Sequence, residues 1–413
     1  MDNNLLSEVT KHYHSITNDD VVGVSFSKKR VDGKITDQPA LVFTVLEKKP
    51  IDQIPEDQLI PKVIEFSGQT FVTDVQQGFY EFASCPSSFY MWQFTPPTNR
   101  NTFRPLQGGI STSNFTSMSG YVGTMGFIAV DNETNSLVGV SNNHVWVQDA
   151  FIASQRIYLY PKQNTYLNFV TQPNEFNNFG FQNAIGLVKK YVPLSGSPTY
   201  NTVDVALCTV NSSEISNTQS YKQVGMTGWT QPLEFATTSE IDNLLTTNPN
   251  CFSSGRTTGP KGEGEMKLLI DSVSAVIGPI GYERQNILTP IQFADCITFV
   301  ASASTTTPGD ICPYPINGGD SGSALVAEIG GVRKIIGLVF ASLNTLVNGQ
   351  PTPVAGIANR IDKVVQEMNI SPWTGNTVNF SNTGATQTFT VAGRSPDETV
   401  IVGSNTYWQS GLI

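Results

Sequence analysis

The chain has 413 residues, only 14% of them charged, and a formal net charge of -10 at pH 7. So acidic a surface attracts neither a nucleic acid nor an anionic membrane, and no basic run offsets it, so neither partner is expected. The length allows two to three domains, and abundant Gly, Pro, Ser, Thr and Asn with short apolar runs argue for a β-rich fold over a helical bundle.

The opening stretch, "MDNNLLSEVTKHYHSITNDD", lacks a basic segment followed by an apolar one, and no run elsewhere approaches membrane-spanning length. A soluble, cytoplasmic protein is the expectation. His12 and His14 lie in this polar stretch and read as part of a solvated segment, with an H-x-H metal pair as the alternative. Residues 21–77 give two strand-like runs around the polar turn "VDGKITDQ", a short helix at "EDQL" between prolines, and a strand at "TFVTDV". Residues 1–77 are therefore expected to form a small α+β module. The polar stretch 78–119 has no clear period and reads as a connector.

From residue 120 onward short strands recur with Gly or Asn turns: "GTMGFIAVD", "LVGVSNNHV", "VDVALCTV", "MKLLIDSVSAVI", "ITFVA", "SGSALVAE" and "VRKIIGLVF". That pattern predicts a sandwich or barrel, and the length suits two barrels in tandem, over 120–215 and 216–370. One helix is predicted in "GIANRIDKVVQEMNI", with Ile357, Ile361, Val364, Val365 and Met368 on one face. Residues 371–413 read as a polar, β-rich tail.

Cys85, Cys208, Cys251, Cys296 and Cys312 are odd in number and never in CxxC spacing, so buried free thiols are expected, with a Cys296 to Cys312 bridge as the alternative. No HExxH, EF-hand or zinc cluster occurs, so no metal or cofactor is required. "SGRTTGPKGEGE", residues 254–265, lacks phosphate-loop spacing and reads as a hairpin.

The chemistry concentrates at "NGGDSGSALV", residues 317–326, where Ser321 stands between glycines directly after Asp320. Glycine leaves the backbone free and uncrowded around a hydroxyl, as a nucleophile requires, although the same residues also make ordinary surface turns. Position 323 is Ser rather than Gly, which disfavours the nucleophile elbow of α/β hydrolases. A serine needs a base, and of three histidines only His144 ends an apolar strand, at "LVGVSNNHVWV", where Asn142 and Asn143 make a turn. Asp204, set among apolar neighbours in "NTVDVALCTV", is costly to ionise there unless a partner meets it, and the imidazolium of His144 is such a partner.

Together "SNNHV", "VDVAL" and "GGDSGS" resemble the signature blocks of trypsin-like serine peptidases of the chymotrypsin class, in the same His, Asp, Ser order. The likeness extends through "GVSFSKKRVDGKITDQPALVFTVLEKK", "RPLQGGIS", "GTMGFIAV", "SGRTTGP" and "IIGLVFAS" to the bacterial and plant peptidases related to NARROW LEAF 1. It spans about residues 21 to 369. The resemblance implies a mainly β fold of two six-stranded antiparallel barrels and a serine endopeptidase acting on polypeptides. By it, His144 is the base, Asp204 its orienting carboxylate and Ser321 the nucleophile, with the N–H groups of Gly319 and Ser321 as oxyanion hole. Pro315, Phe340, Ala341 and Ser342 fall at substrate-binding positions, and a homo-oligomer is implied. No carboxylate stands at position 315, so apolar or small residues are expected before the cut, with Asp310 as the acid that would change this.

One departure concerns Asp320. In secreted members of the class a freed amine meets this aspartate, whereas here more than a hundred residues precede the barrels. Arg256 or a backbone donor must serve, so the uncut chain is expected to form a competent oxyanion hole. The competing reading is a protease-like scaffold that binds peptides or protein partners without turnover.

Overall fold

The fold was analysed in a computed structural model, which describes residues 3–17, 20–31, 34–83, 98–114, 122–147, 169–173, 183–227, 231–263, 266–284, 287–302 and 314–375. Leu6, Val9, Thr10 and His14 recur at helical spacing and are all buried on one face of α1 (Asn3–Ile16). The opening stretch is thus a docked amphipathic helix rather than a wholly solvated segment, with His14 buried and His12 exposed. Polar residues outnumber apolar ones there, yet a few correctly spaced side chains suffice to bury one face. The ring nitrogens of His14 meet the Tyr200 hydroxyl at 2.9 Å and the Gly278 carbonyl at 3.0 Å, and His12 packs on Tyr13 and Phe66.

Beneath α1 lie β1 (Val21–Val31), β2 (Lys34–Val45), β3 (Val63–Phe66) and β4 (Gln69–Gln77), in the order β1-β2-β4-β3, with β2 and β4 parallel. The expected helix at "EDQL" is a single 3-10 turn, Glu56–Gln58. Leu6, Val9, Val24, Leu41, Phe43 and Phe71 give this α+β module its own small core. A short strand, β5 (Phe79–Phe82), leaves the module after Gly78.

The first barrel contains β6 (Ile110–Asn114), β7 (Gly123–Met125), β8 (Phe127–Asp131) and β9 (Ser136–Ser141), then the helical turn α2 (Asn143–Trp146). It continues with β10 (Phe169–Thr171), β11 (Ala184–Tyr191) and β13 (Ala206–Thr209), the two-residue β12 (Tyr200–Asn201) coming between the last two. The order is β8-β9-β13-β11-β10-β6-β7, and β7 runs into β8 through Gly126 alone. With β7 and β8 counted as one bent strand, that is a closed antiparallel ring of six.

After β14 (Glu234–Phe235) and the short helices α3 (Thr238–Asp242) and α4 (Leu244–Thr247), the second barrel begins with β15 (Cys251–Gly255). The hairpin partner β16 (Gly259–Lys261) follows, as the sequence predicts. The long strands β17 (Leu268–Arg284) and β18 (Ile287–Ala301) come next, then β19 (Ala324–Ile329), β20 (Val332–Val347) and β21 (Gln350–Arg360). Here β15 pairs with β17 and β19, β17 with β18, β18 with β21, and β21 with β20, which returns to β19. This is a second closed antiparallel ring of six. The fold is mainly β, with two six-stranded barrels as expected. The N-terminal module joins it edge to edge, Gly23 and Val24 of β1 facing Ile277 and Val276 of β17.

Residues 78–119, expected to be a connector, carry β5 of the second barrel's sheet and β6 of the first barrel. Hydroxyl residues in "ISTSN" conceal β6, because all five are buried yet only one is apolar. The helix expected from Gly356 is α5 (Ile361–Met368) and starts later, since Ile357 to Arg360 stay in ladder with β18 and β20. Beyond it β22 (Ile370–Pro372) returns to pair with β8. The rest of the expected tail, 376–413, lies outside the described residues. Cys208, Cys251 and Cys296 are buried free thiols; Cys85 and Cys312 lie outside the described residues, and with Cys312 the Cys296 to Cys312 bridge. No helix among the described residues is long and apolar enough to cross a membrane.

Burial holds the pKa of His14 below its ordinary 6.5. The folded form favours the neutral ring, so the stability it contributes is present above pH 6.5 and is lost as pH falls through the lowered value. Thermal unfolding followed between pH 7.5 and pH 5 is expected to show a falling midpoint that His14→Gln, neutral throughout, makes shallower.

Candidate active site

Where β9 ends, Asn142 stands at the N-cap position of the single helical turn α2 without a side-chain cap bond, and the turn carries His144 into the junction between the barrels. His144 Nδ1 is hydrogen bonded to Asp204 Oδ2, and the His144 backbone N–H donates to Asp204 Oδ1 at 3.2 Å. Both side chains are buried, at 2% and 0% exposure. Asp204 is held from both sides. Its N–H donates to Asn359 Oδ1 of the second barrel at 2.9 Å, and its carbonyl accepts from Asn142 Nδ2 at 2.7 Å. With Nδ1 bonded to a carboxylate, the neutral imidazole carries its proton there and leaves Nε2 as the acceptor.

Ser321 sits in the loop that leads into β19. Gly319 and Gly322 have φ of +99° and +92°, and a Cβ on either would lie 2.4 Å from Thr257 Oγ1 or 2.1 Å from the Thr124 carbonyl. Only glycine fits both places. Gly322 also packs on Ser141, three residues before His144, so the two loops share one wall.

Asp320 is buried at 2% exposure and takes backbone donors, one of the two partners expected for it. Thr257 and Thr258 N–H donate to Oδ1 at 2.7 and 3.0 Å, and Asn317 N–H donates to Oδ2 at 2.9 Å. Burial raises its pKa and outweighs these three donors, which pull it down. Arg256 bonds instead to the Ser111 and Thr257 hydroxyls.

The Gly319 and Ser321 N–H groups converge on one acceptor, the Ala83 carbonyl oxygen, at 2.7 and 3.3 Å. Residues 79–83 lie along the open edge of β20, with Phe82 opposite Ala341 and Glu81 opposite Ser342. The Ala83 N–H donates to the Phe340 carbonyl at 2.9 Å, and the same carbonyl accepts the Ser321 hydroxyl at 3.1 Å. Phe340, Ala341 and Ser342, singled out from the sequence, therefore all contact this strand. Pro315 is buried two residues before Asn317, and Asp310 lies outside the described residues. The Phe82 ring stands over the His144 ring at 4.6 Å between centroids.

Sequence reasoning missed Asn142 and Asn359, which hold Asp204, and Phe82 and Ala83, which fill the cleft. Asn142 stood beside His144 in "SNNHV", but what its side chain bonds is decided by the fold.

No family model and no curated protein matches the chain. Solved structures with a similar fold include a glutamic acid specific serine protease that uses a histidine triad in substrate binding, at 12% identity and a TM-score of 0.36. Others are Protease A of Thermobifida fusca, at 14% and 0.34, and a Nocardiopsis protease, at 14% and 0.35. These matches cover 65% of this chain and 98 to 100% of the other. At such values they assign no residue roles, and the double barrel rests on the two closed rings.

In Asp320→Asn, an amide NH₂ must face at least one backbone N–H, leaving a buried donor without an acceptor. The expected loss is about 2 kcal/mol of stability, read as a lower denaturant midpoint, with amide hydrogen exchange speeding up first at Gly319 to Ser321.

Proposed function

We propose that this protein is a serine endopeptidase in which Ser321, His144 and Asp204 act as nucleophile, base and orienting carboxylate. The observation that carries this reading is the pair of N–H groups, Gly319 and Ser321, converging on one peptide carbonyl beside the buried His144–Asp204 pair. Two donors fixed at that spacing match the needs of a tetrahedral oxyanion, and they cost no reorganisation when charge develops. In the reaction, Ser321 turns its hydroxyl from Phe340 toward His144, which takes the proton as Oγ attacks. The imidazolium is stabilised by Asp204 and returns the proton to the leaving amine. The acyl ester on Ser321 is then released by water.

The finer relation to the NARROW LEAF 1-like peptidases, and with it assembly into oligomers in the cytoplasm, rests on the sequence blocks alone. The preference for apolar or small residues before the cut draws support from Ala83, whose carbonyl lies between the two N–H groups. A peptide-library profile dominated by Arg or Lys would overturn that preference. The rival reading, a scaffold that binds without turnover, draws on the same strand, because a filled cleft also suits a closed binding module.

A fluorophosphonate separates the two readings. With β5 freed from the cleft by Tyr80→Asp, covalent labelling of Ser321, lost when Ser321→Ala or His144→Ala is added while both keep the wild-type fold by circular dichroism, is the expected result. Asp204→Asn is expected to lower kcat by about 10⁴, by leaving the imidazole in the wrong tautomer. Wild-type rates in that variant would exclude Asp204 as the orienting group.

A further inference from the structure

Residues 79–83 make the main-chain contacts of a peptide laid along the cleft up to the carbonyl that would be attacked. Its last residues run antiparallel to Ala341 and Ser342. The Ala83 N–H is fixed on the Phe340 carbonyl, and the Ala83 carbonyl oxygen accepts from both Gly319 and Ser321. Ala83 is 2% exposed, and its methyl is among the smallest groups that can fill a pocket. Glu81 is bonded to Asn344 Nδ2 at 2.9 Å, and the Phe82 ring lies against that of His144.

The N-terminal module holds this strand in place. Tyr80 is buried with its hydroxyl 3.0 Å from Thr44 Oγ1 of β2, and its ring lies so close to Gly23 of β1 that any Cβ there would be 2.7 Å from the Tyr80 hydroxyl. Gly78 N–H is bonded to the Val45 carbonyl. The module thus holds the start of β5 while the second barrel pairs along its length, and an antiparallel strand added to a free sheet edge is a general way of binding an extended peptide.

From this we infer that the protein cleaves its own chain after Ala83, using residues 79–83 as an intramolecular substrate. The inference rests on the peptidase reading above. Ser321 Oγ adds to the Ala83 carbonyl carbon and its proton passes to His144, while the oxyanion is held by the Gly319 and Ser321 N–H groups. Collapse breaks the bond to the next residue in sequence, Ser84, whose amine leaves with the proton from His144. Water then hydrolyses the Ala83 ester, its hydroxyl going to Ala83 and a hydrogen to Ser321. One water is consumed, and one peptide bond becomes a carboxylate and an amine. Because the strand is part of the same chain, the reaction gains the advantage of a pre-positioned reactant. The new carboxylate stays beside the oxyanion donors until β5 is withdrawn, so the cut chain remains gripped by its own module.

The test follows the full-length chain by intact mass after purification, alongside Ser321→Ala. The expected result is two fragments, 1–83 and 84–413, from the wild type and a single chain from Ser321→Ala. The rate constant is expected to be the same over a tenfold range of protein concentration, and at least about 100-fold lower in Ala83→Arg, whose side chain the seat cannot accept. A rate proportional to concentration overturns cleavage within one chain, and a cut at any other bond overturns the assignment of Ala83. A wild-type chain that stays whole also overturns the inference, and Tyr80→Asp, which frees β5 from the module, then tells which claim has failed. Fluorophosphonate labelling of Ser321 in that variant leaves the peptidase reading standing with β5 as a mere occupant, and no labelling removes both.

Discussion

A buried carboxylate must be satisfied, and satisfying Asp320 sets the shape of the cleft. Its oxygens take the N–H groups of Thr257, Thr258 and Asn317, so the turn between β15 and β16 and the loop before β19 are fixed against each other. Gly255 makes this possible, because a Cβ there would lie 2.1 Å from Asp320 Oδ1. Once Asp320 is drawn inward, the flanking Gly319 and Ser321 N–H groups are left facing a common point. The three donors come from within the folded barrel, so an uncut chain already has the geometry that the cleft needs.

The second constraint runs across the junction of the barrels. His144 and Asp204 both come from the first barrel, yet the Asp204 N–H is bonded to Asn359 on β21 of the second. Thr124 ties the halves again, its N–H on the Ser321 carbonyl and its hydroxyl on the Gly319 carbonyl. The last described strand, β22, crosses back to β8 after α5. The relative placement of Ser321 and His144 is therefore a property of the packed pair of barrels, and neither barrel alone would preserve it.

The N-terminal module has a role beyond carrying a separate core. By extending the second barrel's sheet through β1, it brings its own outgoing strand to the open edge of β20. Tyr80 is the hinge pin of that arrangement, and burial pushes its hydroxyl pKa upward, so it stays a neutral partner for Thr44. The same geometry that fills the cleft also withholds it from other chains. Another chain can pair with that stretch of β20 only once β5 has left it.

The sequence by itself determined the elements whose cause is local. Alternating apolar runs between Gly and Asn turns gave most of the barrel strands, and "NGGDSGS", "SNNHV" and "VDVAL" marked Ser321, His144 and Asp204 because few residue types can stand at such bare or apolar places. It misjudged those where burial depends on distant partners. The opening helix looked solvated because its buried face is built from four residues whose cover comes from β1 and β17. Strand β6 was hidden by its hydroxyl side chains, and α5 was drawn too long because an apolar face reads alike whether the backbone is helical or laddered. What only the tertiary structure decided is the partner of each buried polar group and the occupant of the cleft. Asp320, Asp204 and Ala83 are matched by residues at least 60 positions away, apart from Asn317, and no local pattern encodes a hydrogen bond closed by the folding of two barrels and a module around it.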